Sequence, residues 1–447
     1  MKRVRLLLSL FAVVPFALCA QEASLSLATN ATATNLGSFD AYIYELATPS
    51  FSLPLGTTAE IAGSGYVMPS YDFVAQNAPF YYGLQKLRYE LALKNPGESM
   101  SAFVFDAGRF DFSDPSGYIL ASPADGFSFQ FKYPAIEVAF RSAYTGLLFL
   151  KGSTTVSPLI EMSLADKSRI DAGTDLTGSP RFIAQVDLSL PKFFGQAIDF
   201  SCISQNDLNP DSSLVSAGTS IYQSGMGGRV NTQYFELKSS GSIVVVDYDA
   251  FFAYGSGTTL TWLGDSSGAS YQYCPISSCL AGLKASLPLD DLPAPLALSS
   301  AAFSLLYASG DRNASSAIEG NTSSTYAAFT PITSPTLGAV FSPSISNLLL
   351  GELSFTTSPT IGDYTVNSSA KLLSFFRPTS GPISEDGVDP ASTSPYLGTE
   401  MDISLSAGLF SDFGLSFVGG LFFPGEAFAS SYQSVQFSAA VTATITM

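Results

Sequence analysis

The residues most able to support acid–base chemistry are concentrated in FDAGRFDFSDPSGYILASPADGFSF, residues 105–129. The charged residues of this stretch are separated by glycine, serine and proline: Asp106, Arg109, Asp111, Asp114 and Asp125. Two carboxylates can serve as general acid and general base. No pocket is defined around such a pair, and the composition favours a turn-rich loop with local ion pairs.

The chain contains no histidine. This absence removes the usual general base, the Ser-His-Asp arrangement and most transition-metal sites. Asp311 and Asn313 lie in LYASGDRNASS, but this stretch lacks the glycine and distal glutamate of an EF-hand loop. A strand end running into a loop is favoured there over a calcium site. The sequence therefore predicts no enzyme, no cofactor and no metal site.

The cysteines outside the first twenty residues are Cys202, Cys274 and Cys279. The stretch CPISSC could close a small disulfide loop in an oxidising compartment. Two unpaired loop cysteines are an equally open interpretation. A zinc site is not expected with so few ligands.

The first residues, MKRVRLLLSLFAVVPFALCAQE, have a basic start, an apolar stretch and a small residue, Ala20, at a cleavage position. This pattern predicts a secretory signal peptide over 1–20, and a membrane anchor is the alternative. Its removal changes the net charge from −17 to −20, because Lys2, Arg3 and Arg5 are lost. So acidic a chain is not expected to bind nucleic acid.

Period-two alternation predicts the strands. In DGFSFQFKYP, residues 125–134, the residues Phe127, Phe129 and Phe131 alternate with Ser128, Gln130 and Lys132. Residues 136–141, 181–190 and 402–409 alternate in the same way. In a soluble β-protein the aromatic face meets a core, whereas in an outer-membrane barrel it meets lipid.

Two observations favour the barrel. Only 13% of residues are charged, and no segment after residue 20 has some 18 uninterrupted apolar residues. The last segment, 435–447, alternates to Met447, although termini usually fray unless they are pinned. A closed barrel pins its last strand against its first. In bacterial barrels that strand also serves as a signal for the barrel-assembly machinery, usually with Phe where Met447 stands.

The sequence thus predicts an all-β fold, a single transmembrane antiparallel β-barrel over residues 21–447. We expect about 16–18 strands, a polar lumen and long extracellular loops at 256–275, 309–325 and 377–397. A turn at Lys238–Gly241 would join two strands within 228–257. Charged residues share the polar face of the alternating runs, and several are candidate pore-lining residues: Arg109, Lys132, Glu137, Arg141, Arg181, Asp187 and Glu236.

Several short motifs resemble those of the alginate-export and related porin-like barrels. They are AGRFDFSDPSG followed by DGFSFQF, then LLYASGDRN, FTPITSP at 329–335, and YLGTEMDISLSAGLFSDFGLSFVGGLFFPGEAF at 396–428. The resemblance implies an 18-stranded outer-membrane barrel that passes solutes. The alginate exporter has a strongly basic lumen, whereas this chain is acidic and has few candidate arginines: Arg109, Arg141, Arg181, Arg229 and Arg377. The barrel is therefore expected, but not the alginate substrate.

Three functions follow as hypotheses. The first is an outer-membrane channel for passive or substrate-selective diffusion of small solutes, with selectivity set by side chains of the lumen. The second is a surface adhesin or antigen that uses the barrel to display its loops without significant transport. The third is a soluble secreted β-sandwich, against which the terminal strand and the low charge content argue.

Overall fold

The computed structural model describes residues 22–35, 39–97, 99–148, 178–208, 229–265, 268–289, 298–314, 325–362, 364–383, 387–389 and 392–447. The predicted signal peptide lies outside the described residues. Nineteen strands follow one another in the chain: β1 (Glu22–Thr34), β2 (Asp40–Leu55), β3 (Ala59–Asp72), β4 (Phe80–Lys94), β5 (Ala102–Ser113), β6 (Ala121–Lys132), β7 (Glu137–Tyr144), β8 (Arg181–Phe193), β9 (Gln196–Asp207), β10 (Val230–Ile243), β11 (Val246–Asp265), β12 (Gly268–Pro288), β13 (Ser299–Ala308), β14 (Leu348–Thr357), β15 (Thr360–Ile361), β16 (Tyr364–Phe376), β17 (Tyr396–Gly408), β18 (Phe413–Pro424) and β19 (Gln436–Thr446).

Eighteen of these strands form a closed antiparallel barrel in which each strand pairs with its neighbours in sequence. The two-residue β15 pairs only with β16 and lies in the connection between β14 and β16. The barrel closes where β1 pairs with β19, with Leu27 opposite Ile445 and Thr34 opposite Ser438. Closure leaves no unpaired sheet edge, and it confirms the predicted barrel and the pinning of the last strand.

The two faces of the wall follow the alternation in the sequence. Phe127 is 45% exposed on the outer face, and Phe140 of the neighbouring strand is 46% exposed. Phe105 and Phe129 face each other across β5 and β6 with ring centroids 5.0 Å apart. Ser128, which alternates with these aromatic residues, is fully buried on the inner face. The aromatic face of 125–134 is therefore the outer face of the barrel.

The turn between β10 and β11 differs from the predicted position. Lys238–Gly241 remains within β10, because all four residues pair with β11 and the first three also pair with β9. The chain reverses instead at Val244 and Val245, and Val244 has a φ of 59°, which is unusual for a β-branched residue. The run Ser239-Ser240-Gly241 has the composition of a turn, but pairing with β11, and of both serines also with β9, holds it extended.

The predicted loop at 256–275 is also wrong over most of its length. Ser256 pairs with Ser277, and the β11–β12 ladder continues to Asp265 and Gly268. These two strands are the longest of the barrel, at 20 and 21 residues. The described residues of the predicted loop at 309–325 fall between strands, and so do those of the loop at 377–397 up to the start of β17 at Tyr396.

The extended β12 also excludes a disulfide between Cys274 and Cys279. The two cysteines lie five positions apart in one strand, which separates their Cα atoms by roughly 17 Å. A disulfide requires about 4.4–6.8 Å. The odd spacing also sends the two side chains to opposite faces of the sheet.

The two ends of the barrel differ in the length of their connections. At the end where β1 begins and β19 ends the turns are short, as at Phe194–Gly195 and Val244–Val245. At the other end lie the long connections, including 309–347 and 377–395. The described helical structure is the single 3₁₀ turn Ser430–Tyr432, and no helix of the described residues is long and apolar enough to cross a membrane.

Candidate functional site

The connection between β5 and β6 forms a compact turn, residues 114–120, organised by one carboxylate. Asp114 Oδ1 accepts hydrogen bonds from the backbone N–H groups of Ile119 (3.0 Å) and Leu120 (2.6 Å). Its Oδ2 accepts from the N–H groups of Ser116 (3.0 Å) and Gly117 (2.8 Å). Aspartate commonly binds the backbone just after it in this way. The carboxylate therefore fixes the conformation of the whole 114–120 turn.

The 114–120 turn crosses the barrel interior to strands β10 and β11. The Ser116 N–H donates to Glu236 Oε1 at 2.9 Å, and Lys238 Nζ donates to the Pro115 carbonyl at 2.9 Å. The Tyr118 ring stacks on Phe251 with centroids 5.3 Å apart. Since β7, β8 and β9 lie between β6 and β10 in the wall, the turn projects inward past these three strands to make these contacts. Burial raises the pKa of Tyr118, and the negative charges of Glu352 and Asp249 raise it further.

Residues 325–347, part of the connection between β13 and β14, form a second inner segment. The backbone N–H groups of Ile332 and Thr333 both donate to the Ile119 carbonyl, at 2.8 and 3.0 Å. The Ala121 N–H donates to Thr333 Oγ1 at 2.7 Å. From β10, the Tyr234 hydroxyl donates to the Thr330 carbonyl at 2.5 Å. These bonds join the 325–347 segment to the 114–120 turn.

The other end of the 325–347 segment is held by β17. The N–H groups of Val340 and Phe341 donate to Oε1 and Oε2 of Glu400, each at 2.8 Å. The Ala339 N–H donates to Asp402 Oδ2 at 3.2 Å. Phe341 stacks on Phe422 with centroids 4.5 Å apart. The segment therefore connects β10 and β17, which lie on different sides of the barrel.

The two inner segments enclose a buried apolar core within the barrel. Its members from the segments include Ile119, Leu120, Phe329, Ile332 and Phe341, and the strands from β5 to β18 contribute inward-facing residues. The inner face is thus polar along part of its height and apolar at the level of these segments. In the sequence, the core is indicated by apolar residues such as Phe110 and Ile183. These residues occupy the inward face, which otherwise carries polar residues.

Two of the candidate pore-lining residues form an ion pair on the inner face. Arg141 Nη1 lies 2.7 Å from Asp187 Oδ2, and Arg141 also donates to the Ser113 carbonyl at 3.2 Å. Ser201 Oγ donates to Asp187 Oδ1 at 2.6 Å. Strands β7, β8 and β9 thereby present one hydrogen-bonded polar group beside the 114–120 turn.

Lys132 and Glu137 pair at the end of the barrel where β1 begins and β19 ends. Lys132 Nζ lies 3.6 Å from Glu137 Oε2, and both side chains are about 40% exposed. Glu137, Arg141 and Asp187 line one cavity of about 230 Å³, together with parts of the 114–120 turn. Three of the seven candidates are therefore brought to one place.

The other candidates have separate structural surroundings. Glu236 is fully buried against the 114–120 turn. Arg109 Nη1 lies 2.6 Å from Asp125 Oδ2. Arg181 and Asp207 form a buried ion pair at 2.9 Å near the end with the long connections.

The last two arginines that the sequence singles out bind backbone carbonyls. Arg377 donates to the carbonyls of Ser392, Ser394 and Gly381, and Arg229 donates to the Asp207 carbonyl at 3.0 Å. Burial lowers the pKa of the Arg377 guanidinium. Each of the five candidate arginines is thus engaged by the protein itself.

No cluster of three or more potential metal ligands of the His, Cys, Asp or Glu type occurs among the described residues. The Asp311 carboxylate accepts hydrogen bonds from the backbone N–H groups of Asn313 (2.9 Å) and Ala327 (3.1 Å). These bonds give Asp311 a structural role at the strand end.

Comparison with known proteins shows that the fold of this chain is similar to that of several solved structures. No family model and no curated protein matches the sequence. The solved structures of OccK3 (OpdO) and OccK5 (OpdH) from Pseudomonas aeruginosa match with TM-scores of 0.54 and 0.53, at 10% and 8% identity. The matches cover 97% and 96% of this chain and 99% of each of those chains. The outer membrane protein OpdK from the same organism matches with a TM-score of 0.50 at 8% identity, over 95% of this chain and 98% of that one.

The closed, 18-stranded antiparallel barrel is thus a fold similar to that of these structures. The 18 strands implied by the resemblance to porin-like barrels are confirmed. Membership of the alginate-export group specifically is not supported by the structures that match.

Proposed function

We propose that this protein is an outer-membrane channel for passive or substrate-selective diffusion of small solutes. The observation that supports the proposal is the division of the wall into two faces. Large apolar side chains such as Phe127, Phe140 and Val186 are exposed on the outside, and the Arg141–Asp187 ion pair lies inside. An apolar outer band with a polar interior is the arrangement of barrels that span an outer membrane.

The same features support the location and orientation. A closed barrel satisfies every backbone polar group within its own sheet, which a bilayer requires. The short turns at 194–195 and 244–245 suit the periplasmic side, and the long connections suit the cell exterior. In this orientation β19, the core of the 435–447 segment, starts at the exterior and ends at the periplasm. It is the strand that we propose the barrel-assembly machinery recognises.

The engagement of the arginines argues against an anionic polymer as the transported solute. Arg109, Arg141 and Arg181 are each within 2.9 Å of a carboxylate oxygen. A bound carboxylate neutralises the guanidinium and occupies its hydrogen-bonding edge. We therefore propose small solutes and do not propose alginate.

A second candidate function, a barrel that displays its loops without significant transport, is favoured by one observation. The apolar core enclosed by the 114–120 turn and the 325–347 segment occupies lumen space beside most of the wall strands. A barrel closed at this level would serve as a support for its exterior connections, as an adhesin or antigen does.

Planar-bilayer conductance of the refolded chain, residues 21–447, tests the two candidates against each other. Discrete current steps support the channel. A folded, heat-modifiable barrel in detergent that gives no steps under any applied potential contradicts the channel and supports the display function. A chain that stays soluble without detergent contradicts both.

A further inference from the structure

The cavity beside the 114–120 turn is lined by more acidic than basic side chains. Its charged lining residues are Asp114, Glu137, Asp187 and Asp199 against the single basic residue Arg141. They come from β7, β8, β9 and the start of the turn. The cavity, of about 230 Å³, lies on the inner face between the turn and the end where β1 begins and β19 ends.

Ion pairing neutralises part of this lining. Arg141 pairs with Asp187 at 2.7 Å, and Lys132 pairs with Glu137 at 3.6 Å. Next to the cavity, Lys238 Nζ lies 2.8 Å from Asp249 Oδ2. Lys132, Arg141 and Lys238 are therefore each matched by one carboxylate.

Two carboxylates remain in excess. Asp114 receives hydrogen bonds from backbone N–H groups and the Ser116 hydroxyl, which are neutral donors and leave its negative charge uncompensated. Asp199 stands opposite Lys238 in the β9–β10 register, but Lys238 binds Asp249 and the Pro115 carbonyl instead. Among the described residues, Asp199 makes no ion pair and is partly exposed to the lumen.

Excess charge of one sign in a confined, low-dielectric cleft raises the local concentration of oppositely charged solutes. Charged side chains along a channel set its ion preference by the same principle. We propose that the lumen prefers cationic solutes and that Asp199 is a residue that determines this specificity. This inference rests on the proposed channel function and assigns the charge class of its substrates.

The reversal potential of the refolded wild-type chain, in a tenfold KCl gradient across a planar bilayer, measures the preference. We expect a K⁺:Cl⁻ permeability ratio above one. Asp199→Asn keeps the size of the side chain and is expected to lower the ratio by about twofold. Raising the salt on both sides to 1 M is expected to weaken the preference of the wild type, because screening shortens the reach of exposed charges.

Two further variants make the test independent of one substitution. Lys284 lies on the inner face opposite Asp249 and makes no ion pair among the described residues, so Lys284→Gln is expected to raise the ratio. Glu45 is exposed on the outer face, two positions from Ala47, which stands opposite the exposed Leu27. Glu45→Gln removes the same unit of charge outside the lumen and is expected to leave the ratio unchanged.

Wild-type current steps with an anion preference would overturn the inference and leave the channel function intact. An unchanged ratio in both Asp199→Asn and Lys284→Gln would also overturn it. Absence of steps from a correctly folded wild-type barrel counts against the channel function itself, and with it against the inference.

Discussion

The backbone N–H of Ser116 donates a 2.9 Å hydrogen bond to Oε1 of Glu236, which lies 120 residues further along the chain. This bond joins the 114–120 turn to β10, which is separated from β6 by three strands of the wall. Beside it, Lys238 binds the Pro115 carbonyl from the same strand. The position of the turn in the lumen is therefore set from β10 as well as by its own Asp114.

Removal of the Glu236 carboxylate is expected to loosen the 114–120 turn. Glu236→Ala deletes the acceptor, and a buried backbone N–H that is left without a partner costs about 1–3 kcal/mol. We expect noisier and larger single-channel current with the barrel still folded. Glu236→Gln keeps an oxygen that can accept from Ser116 and is the matched control. Identical current traces from wild type and Glu236→Ala would show that the contact does not position the turn.

The Arg181–Asp207 ion pair is expected to stabilise the barrel more than the exposed pair at its other end. Arg181 and Asp207 have 2% and 0% of their side-chain surfaces exposed. Loss of one partner leaves a buried charge, so Asp207→Asn is expected to lower the free energy of unfolding by about 3–5 kcal/mol. The measurement is urea-induced unfolding in detergent or lipid.

The Lys132–Glu137 pair provides the comparison for that experiment. Both side chains are about 40% exposed, and pairs of this kind contribute at most about 1 kcal/mol. Glu137→Gln is therefore expected to change the unfolding free energy only slightly. If Asp207→Asn and Glu137→Gln lowered the free energy of unfolding equally, burial would not be what makes the Arg181–Asp207 pair more stabilising.

Neighbouring residues of β6 provide a test of the two faces. Phe129 lies on the outer face and Gln130 on the inner face. An arginine on the lipid side near the middle of the membrane costs about 2–4 kcal/mol. We expect Phe129→Arg to lower the free energy of unfolding in lipid vesicles by that amount. Gln130→Arg is expected to lower it much less. The reverse order would assign the faces the other way round.

Phe341 is expected to be the main apolar anchor of the 325–347 segment. It packs against Phe375, Phe422 and Phe428, with centroids 4.5–5.8 Å apart. Phe341→Ala is expected to lower the free energy of unfolding by about 3–5 kcal/mol if the cavity left by the removed ring does not collapse. The substitution should also increase conductance, because the segment loses its packing while the wall keeps its hydrogen bonds between strands. Phe341→Leu, which retains apolar volume, is the control, and conductance unchanged in the alanine variant would contradict an occluding role for the segment.

The faces of the strands could be predicted from the sequence because they depend on local alternation. Phe127 and Ser128 occupy the expected sides, as do Val186 and Asp187. The β10–β11 turn could not be placed in this way, because the extension of Ser239 and Ser240 depends on partners in β9 and β11.

The inner segments could not be predicted either, because long-range contacts position them. Glu400 and Asp402 alternate like other inward polar residues of a strand. Nothing nearby in the sequence indicates that they bind the N–H groups of residues 339–341. The FTPITSP motif indicated a resemblance to porin-like barrels, but it did not indicate that the motif lies inside the barrel. That position depends on hydrogen bonds that Thr330 and Thr333 accept from residues distant in sequence.

The pairing of β1 with β19 has a consequence for how the molecule is made. Asn30 Nδ2 donates to Thr442 Oγ1 at 2.7 Å across a separation of 412 residues. A contact this distant in sequence forms late, because the intervening chain must first be ordered and its entropy lost. Until it forms, β1 exposes an unsatisfied strand edge that can recruit another chain. Slow closure of the barrel would therefore prolong the time during which this edge can pair with another chain.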